Sequence, residues 1–302
     1  MPNYDFITVD VFTKERFGGN PLAVFPNADG LTDTQMQAIA MEFNLSETTF
    51  VLPPKDPRNR ARVRIFTPKT EMPFAGHPNV GTGFVLATLD SKPPEHYTFE
   101  EIAGLVRVHV LRDAAGVIEG TRISAPRSLS IDIGVQTELV AACASLTEKD
   151  IVTDAHDPLV ASVGTPFVIA EVKSLQVLAS ARPDLAAFRR GARELQKLKE
   201  RFNLLLYTRR GDTVTHLRTR MFAPLAGVLE DPATGSANAA LAALLTSLAP
   251  GDNVNLHFEI EQGIEMGRPS QIIASARKTG EGPVEATVAG SCVPVMRGTL
   301  TI

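Results

Sequence analysis

The chain has 302 residues, 44% of them hydrophobic and 21% charged, and a net charge of −4, the balance of a globular protein of one large or two ordinary domains. No basic cluster is present, which argues against a nucleic-acid surface. The long uncharged run 232–251 is interrupted by Thr234, Gly235, Ser236 and Asn238 and falls short of a membrane span.

The start, Met1-Pro2-Asn3-Tyr4-Asp5, has neither a positive n-region nor an apolar h-region, so a cytoplasmic protein is expected. Cys143 and Cys292 are the two cysteines, and neither they nor the six histidines follow a metal-type spacing. The phosphate-cradling glycine patterns are also missing. No metal and no cofactor are expected.

In chain order, Phe6 to Phe12 alternates as a half-buried strand, Gly18-Gly19-Asn20-Pro21 turns, and Leu22 to Phe25 returns as a strand. Thr32 and Gln35 form a capping-box pattern before a helix with Met36, Ile39, Ala40 and Phe43 on one face, ending near Asn44. In Ser46-Glu47-Thr48-Thr49-Phe50-Val51-Leu52 a carboxylate stands where a strand of β-branched and apolar residues begins. Arg60 to Thr67 reads as another strand. A buried helix is expected over 79–89, then a Pro-containing loop, strands over 106–111 and 117–123, and a boundary at Ser124-Ala125-Pro126. The halves are therefore 1–125 and 126–302, with the last strand free to cross back to the first.

The second half repeats this order: a strand over 131–134, a helix over 138–145, a strand pair over 159–172 turning at Gly164 to Pro166, and an amphipathic helix over 185–202. Strands over 203–207 and 214–222, a buried helix over 237–248 and closing strands over 257–261, 270–276, 284–288 and 293–302 complete it.

The repetition extends to single residues. Glu71-Met72-Pro73-Phe74-Ala75-Gly76-His77-Pro78-Asn79 and Glu230-Asp231-Pro232-Ala233-Thr234-Gly235-Ser236-Ala237-Asn238 both fit E-x-P-x-x-G-x-x-N, 159 positions apart. Each follows an R-x-F-x-P segment, at Arg64, Phe66 and Pro68 and at Arg220, Phe222 and Pro224, and each half carries Phe-Asn-Leu further upstream. Three landmarks in one order indicate a duplication. Each frame opens a helix that is apolar on every face and hence buried. Pro78 suits the first helical position, which makes His77 the N-cap and Ser236 its counterpart. A pseudo-twofold relation would turn both helix N-termini toward one cleft suited to an anion.

Differences between the frames mark where chemistry diverged. Glu47 falls opposite Leu206, Asp231 opposite Met72, and Ser236 opposite His77. Two carboxylates, an imidazole and a hydroxyl make an acid/base set. Each also has an ordinary reading: Glu47 as a solvated strand start, Ser236 as a helix cap, His77 as a structural imidazole, Asp231 as a turn former.

The segments Asn44-Leu45-Ser46-Glu47-Thr48, Phe74-Ala75-Gly76-His77-Pro78 and Glu230-Asp231-Pro232-Ala233-Thr234-Gly235-Ser236-Ala237, with Phe17-Gly18-Gly19-Asn20-Pro21-Leu22-Ala23-Val24, resemble the PhzF-like phenazine biosynthesis family over nearly the whole chain. The resemblance implies an α+β, diaminopimelate epimerase-like fold of two pseudo-symmetric domains, each a β half-barrel around a central buried helix. It implies cofactor-independent isomerase chemistry on a small anionic metabolite, with Glu47 as general acid/base. His77 and Asp231 are placed at the catalytic centre, Ser46, Gly76, Gly235, Ser236 and Asn20 at the substrate, and the assembly as a homodimer. An amino-acid epimerase or racemase and a non-catalytic binding protein are the alternatives.

Overall fold

The structure is a computed structural model and describes residues 1–198, 202–211 and 213–302. It divides into two compact units, Met1–Pro126 with Ala289–Ile302, and Arg127–Val288.

The first unit holds β1 (Asn3–Val11), β2 (Asn20–Phe25), α1 (Asp33–Phe43), β3 (Glu47–Leu52), β4 (Ala61–Phe66), β5 (Glu71–Met72), α2 (Gly76–Leu89), β6 (His96–Glu101), β7 (Gly104–Arg112) and β8 (Ile118–Ser124). Strand pairing runs β1–β2–β3–β4–β6–β7–β8, parallel at β2–β3 and β4–β6 and antiparallel elsewhere.

The second unit contains β9 (Ser130–Gly134), α3 (Thr137–Cys143), β10 (Ile151–Val152), β11 (Leu159–Ser162), β12 (Pro166–Val172), α4 (Leu175–Ser180) and α5 (Leu185–Glu194). It continues with β13 (Leu204–Arg209), β14 (His216–Ala223), β15 (Val228–Asp231), α6 (Gly235–Leu248), β16 (Asn253–Gln262) and β17 (Ser270–Thr279). Its ladder runs β9–β11–β12–β13–β14–β16–β17, parallel at β12–β13 and β14–β16.

The final strand, β18 (Glu285–Thr301), pairs with both β1 and β8. The first unit's ladder therefore closes on itself, where a half-barrel was expected. The expectation of two separate closing strands is also corrected, since β18 is one strand of 17 residues. Pro294, which has no N–H to give to a ladder, sits at a bulge where the register shifts between Thr8 and Val9, and the Met296 N–H is taken up by the Thr8 hydroxyl at 3.1 Å.

Helix α2 is buried from Gly76 to Ala87, as a helix without a charged residue should be. Two of its polar groups are met inside the barrel: Thr82 bonds Thr49 at 2.8 Å, and Thr121 donates to the Val80 carbonyl at 2.9 Å. A Cβ added at Gly81 would come within 2.6 Å of Leu22 and 2.8 Å of Val11, so this glycine sets how closely the helix approaches β1 and β2. Gly81→Val is expected to lose ~1–3 kcal/mol through overpacking, seen as a lower urea midpoint. An unchanged midpoint would show that the barrel can give way. Helix α6 is likewise buried along most of its length, from Gly235 to Thr246.

Three further expectations change. The stretch read as a loop after Leu89 contains β6, because Tyr97 and Phe99 are buried and alternate with the polar residues His96, Thr98 and Glu100. The long amphipathic helix ends at Glu194, and positions 199–201 of that expectation lie outside the described residues. His77 and Ser236 are not N-caps: Ala75 and Thr234 hold those positions, without side-chain cap bonds. Pro78 is then the third helical residue, which a helix tolerates because its first four N–H groups have no intrahelical acceptor.

Candidate active site

The R-x-F segments explain how each frame is anchored. Alternate strand residues share a face, so in β4 the Arg64 guanidinium lies over the Phe66 ring at 5.0 Å and forks onto Glu71 at 2.6 and 2.7 Å. In β14 Arg220 lies over Phe222 at 4.9 Å and forks onto Glu230 at 2.7 Å on both arms. The asparagine closing each frame then fixes the turn: Asn79 donates to the Ala75 carbonyl and Asn238 to the Thr234 carbonyl, both at 3.0 Å.

In the first unit, these contacts and the stop of α1 bring Glu47 to His77. Thr32 and Gln35 form the expected capping box, and Asn44 ends the helix in the left-handed region at φ 49°, which turns the chain into Ser46 and β3. Glu47, first in β3, stands opposite Leu22 of β2. The His77 Nε2 lies 3.4 Å from a Glu47 carboxylate oxygen, with side-chain exposures of 6% and 17%. The imidazole also hydrogen-bonds the backbone of Pro21, whose carbonyl is all a proline can offer. Asn20, fully buried, precedes Pro21 at the start of β2. Gly76 is the first residue of α2, and Ser46 is half-buried beside Glu47.

Burial pushes the His77 imidazole down to about 3, so it is neutral across the physiological range. With one ring nitrogen donating to Pro21, the neutral ring presents the lone pair of Nε2 to Glu47. The pair has room for one proton, which a protonated Glu47 would donate to Nε2.

This burial has a signature in stability. The unfolded imidazole takes a proton near 6.5 and the folded one only near 3, so between those values the unfolded state binds the extra proton. Stability is fully present above pH 6.5 and is lost as pH falls toward 3. In His77→Asn, the decrease in unfolding free energy between pH 7 and pH 4.5, measured in urea, is expected to be smaller by roughly 1–3 kcal/mol. An equal decrease in both proteins would show that His77 is not buried as the neutral base.

In the second unit, Asp231 ends β15 and is buried, and its carboxylate accepts from the Thr234 hydroxyl. Gly235 and Ser236 are the first two residues of α6, with Ser236 half-buried. Leu206, opposite Glu47 in the duplicated order, is fully buried and apolar.

A profile described as phenazine biosynthesis-like protein matches residues 9–298. The chain belongs to the phenazine biosynthesis-like family. It is 40% identical to an uncharacterized isomerase of Mesorhizobium japonicum over the whole of both chains. It is 33% identical to a trans-2,3-dihydro-3-hydroxyanthranilate isomerase of Pseudomonas chlororaphis, covering 99% of this chain and 100% of that one. A Bacillus anthracis phenazine biosynthesis protein of the PhzF family superposes with a TM-score of 0.88 at 26% identity over both whole chains. A hydroxyproline epimerase from Agrobacterium vitis shares the fold alone, with a TM-score of 0.63 at 14% identity, covering 99% of this chain and 92% of that one.

Within this phenazine biosynthesis-like chain, sequence reasoning missed Thr234, Gln262 and Glu101. Gln262 ends β16 and reaches back to the second frame: its amide nitrogen donates to the Asp231 carbonyl at 2.7 Å, and its oxygen accepts from Thr234 N and Asn238 at 3.2 and 2.7 Å. Only the parallel register of β14 and β16 reveals this position, and that register has no local sequence signal. Among the described residues no helix is long and apolar enough to cross a membrane, and no group of three or more His, Cys, Asp or Glu is placed to hold a metal.

Proposed function

We propose that this chain is a cofactor-independent isomerase that shifts a proton between two carbons of a small carboxylate-bearing metabolite, with Glu47 as the acid/base. The contact between Glu47 and a neutral His77 carries this reading. The Glu47 carboxylate takes a hydrogen as a proton from a carbon next to an unsaturated or carboxyl-bearing group. The C–H bond breaks, an O–H bond forms, and the electron pair passes into the conjugated system. Protonated Glu47 then has Nε2 of His77 as acceptor, which stabilises the intermediate without requiring an imidazolium. Return of a proton at another carbon completes the double-bond shift with no net oxidation.

By motif, Asp231, Ser236, Asn20 and Ser46 contact the substrate, and the amides of Gly76 and Gly235 hold its carboxylate or developing enolate. The assembly assigned is a homodimer. A two-base epimerase finds less support, because Leu206 offers no second carboxylate. The cysteines offer no thiolate either: burial pushes Cys143 up to about 12 and raises Cys292 further.

The test is turnover of trans-2,3-dihydro-3-hydroxyanthranilate, the compound in the relatives' name, by protein treated with a chelator and given no cofactor. An isomer of unchanged mass is the expected product. Hydrolysis, a change of mass, or turnover that returns only with added metal would overturn the reading.

A further inference from the structure

Glu101 combines a charged side chain with an inward position at the end of β6. Burial pushes its carboxyl up to about 8, and both oxygens are enclosed without a well-formed hydrogen bond, as is the side-chain oxygen of Asn79 beside it.

Strand register supplies its counterpart. Arg62 pairs with Glu100 where β4 runs parallel to β6, and Arg218 pairs with Glu261 where β14 runs parallel to β16. Arg62 and Arg218 each stand two residues before the arginine of their R-x-F segment. Glu101 therefore occupies in the first unit the place that Gln262 occupies in the second. Gln262 ties residues 231, 234 and 238 together, its amide nitrogen donating to the Asp231 carbonyl and the Thr234 hydroxyl and its oxygen accepting from Thr234 N and Asn238. Asn79 matches Asn238, and the Pro73 carbonyl accepts from Ala103 N at 3.0 Å just beyond Glu101.

We propose that Glu101 is a positioning residue for the first frame, its carboxyl bearing on Asn79 in the first turns of α2 as Gln262 bears on Asn238 in α6. A neutral carboxylic acid, like an amide, can donate as well as accept, through one O–H where the amide has two N–H groups, whereas a carboxylate only accepts. Ionisation thus removes the donor and buries a charge beside Asn79.

The charges around Glu101 line one cavity of about 740 Å³. Arg64 there is engaged by Glu71 and Asp33. Glu100 is engaged by Asn59 and by the N–H groups of Lys55 and Asp56, and Asp56 pairs with Arg58. Two further cations line the cavity, the exposed Lys55 and Arg62, whose Nε is buried without a partner, and Glu101 keeps its raised value beside them.

The relevance to turnover rests on the Glu47–His77 reading, so the test uses hydrogen exchange, which needs no substrate. Amide exchange over residues 75–80, corrected for the intrinsic pH dependence, is compared between pH 6 and pH 9.5 in wild type, Glu101→Gln and Glu101→Leu. In wild type, protection should fall about tenfold from pH 7 to pH 9, one unit past the carboxyl's value. Glu101→Gln should keep its protection throughout, and Glu101→Leu should be less protected at every pH. Wild-type protection that does not change with pH, or Glu101→Gln losing protection as wild type does, would overturn the proposal. Should Glu101→Leu not fold, the comparison of wild type with Glu101→Gln decides. Failure of the Glu47 mechanism would leave these exchange results unaffected.

Discussion

Arg220→Leu is expected to destabilise the protein by ~3–5 kcal/mol, the range for breaking a buried pair and leaving its partner's charge uncompensated. The Arg220 side chain is 3% exposed and Glu230 14%. Besides Glu230, its guanidinium takes the carbonyls of Leu178, Ala179 and Ala181 at 2.9, 3.3 and 2.8 Å. These lie at the end of α4 and its C-cap, where the Leu178 carbonyl also accepts from Ala181 N and the other two accept from Arg182. The substitution leaves the Glu230 carboxylate without its cation and takes one donor from each of the three carbonyls. Arg64→Leu, whose partners Glu71 and Asp33 are 24% and 82% exposed, should lose only ~1–2 kcal/mol, because water can take over. Urea unfolding of both variants checks this, and equal losses would contradict the ranking.

Glu47→Gln is expected to lower turnover by at least ~10²-fold, the lower end of a general base's contribution, while folding and binding stay close to wild type. Glutamine keeps the shape and most hydrogen bonding, but it has no carboxylate to take the proton. His77→Asn acts differently, since it removes the acceptor for protonated Glu47 and the bond to Pro21, so KM as well as kcat should suffer. A substrate analogue whose affinity for Glu47→Gln matches wild type would separate lost chemistry from lost binding.

How much of this was legible in the sequence depended on whether a local rule governed the residue. The capping box of Thr32 and Gln35 and the stop at Asn44 obey local helix chemistry, and α1 follows the prediction. The two buried helices were visible because neither carries a charge between its frame and its last turn. The helix starts were misplaced by two residues: proline is permitted anywhere in the first turn, so Pro78 did not fix which residue came first. β6 escaped notice because Pro93, Pro94 and the charges at Glu95, Glu100 and Glu101 mask the alternation of Tyr97 and Phe99. Glu101 looks like a surface acid in sequence, and it is seen to be inward only once β6 is recognised, where it shares a face with Tyr97 and Phe99. The joining of Glu47 to His77 was legible as a motif, whereas the neutral state of His77 depends on burial that no local pattern encodes.

The most direct measurement of the central claim follows the hydrogen itself. A substrate carrying deuterium at the carbon that loses its hydrogen is turned over in ordinary water, and the label is located by mass spectrometry and NMR. The account predicts that wild type removes the label from that carbon, either to solvent or to the new C–H position, and that Glu47→Gln does so at least ~10²-fold more slowly. A label that stays on its original carbon through wild-type turnover, or that leaves at the wild-type rate in Glu47→Gln, would contradict it.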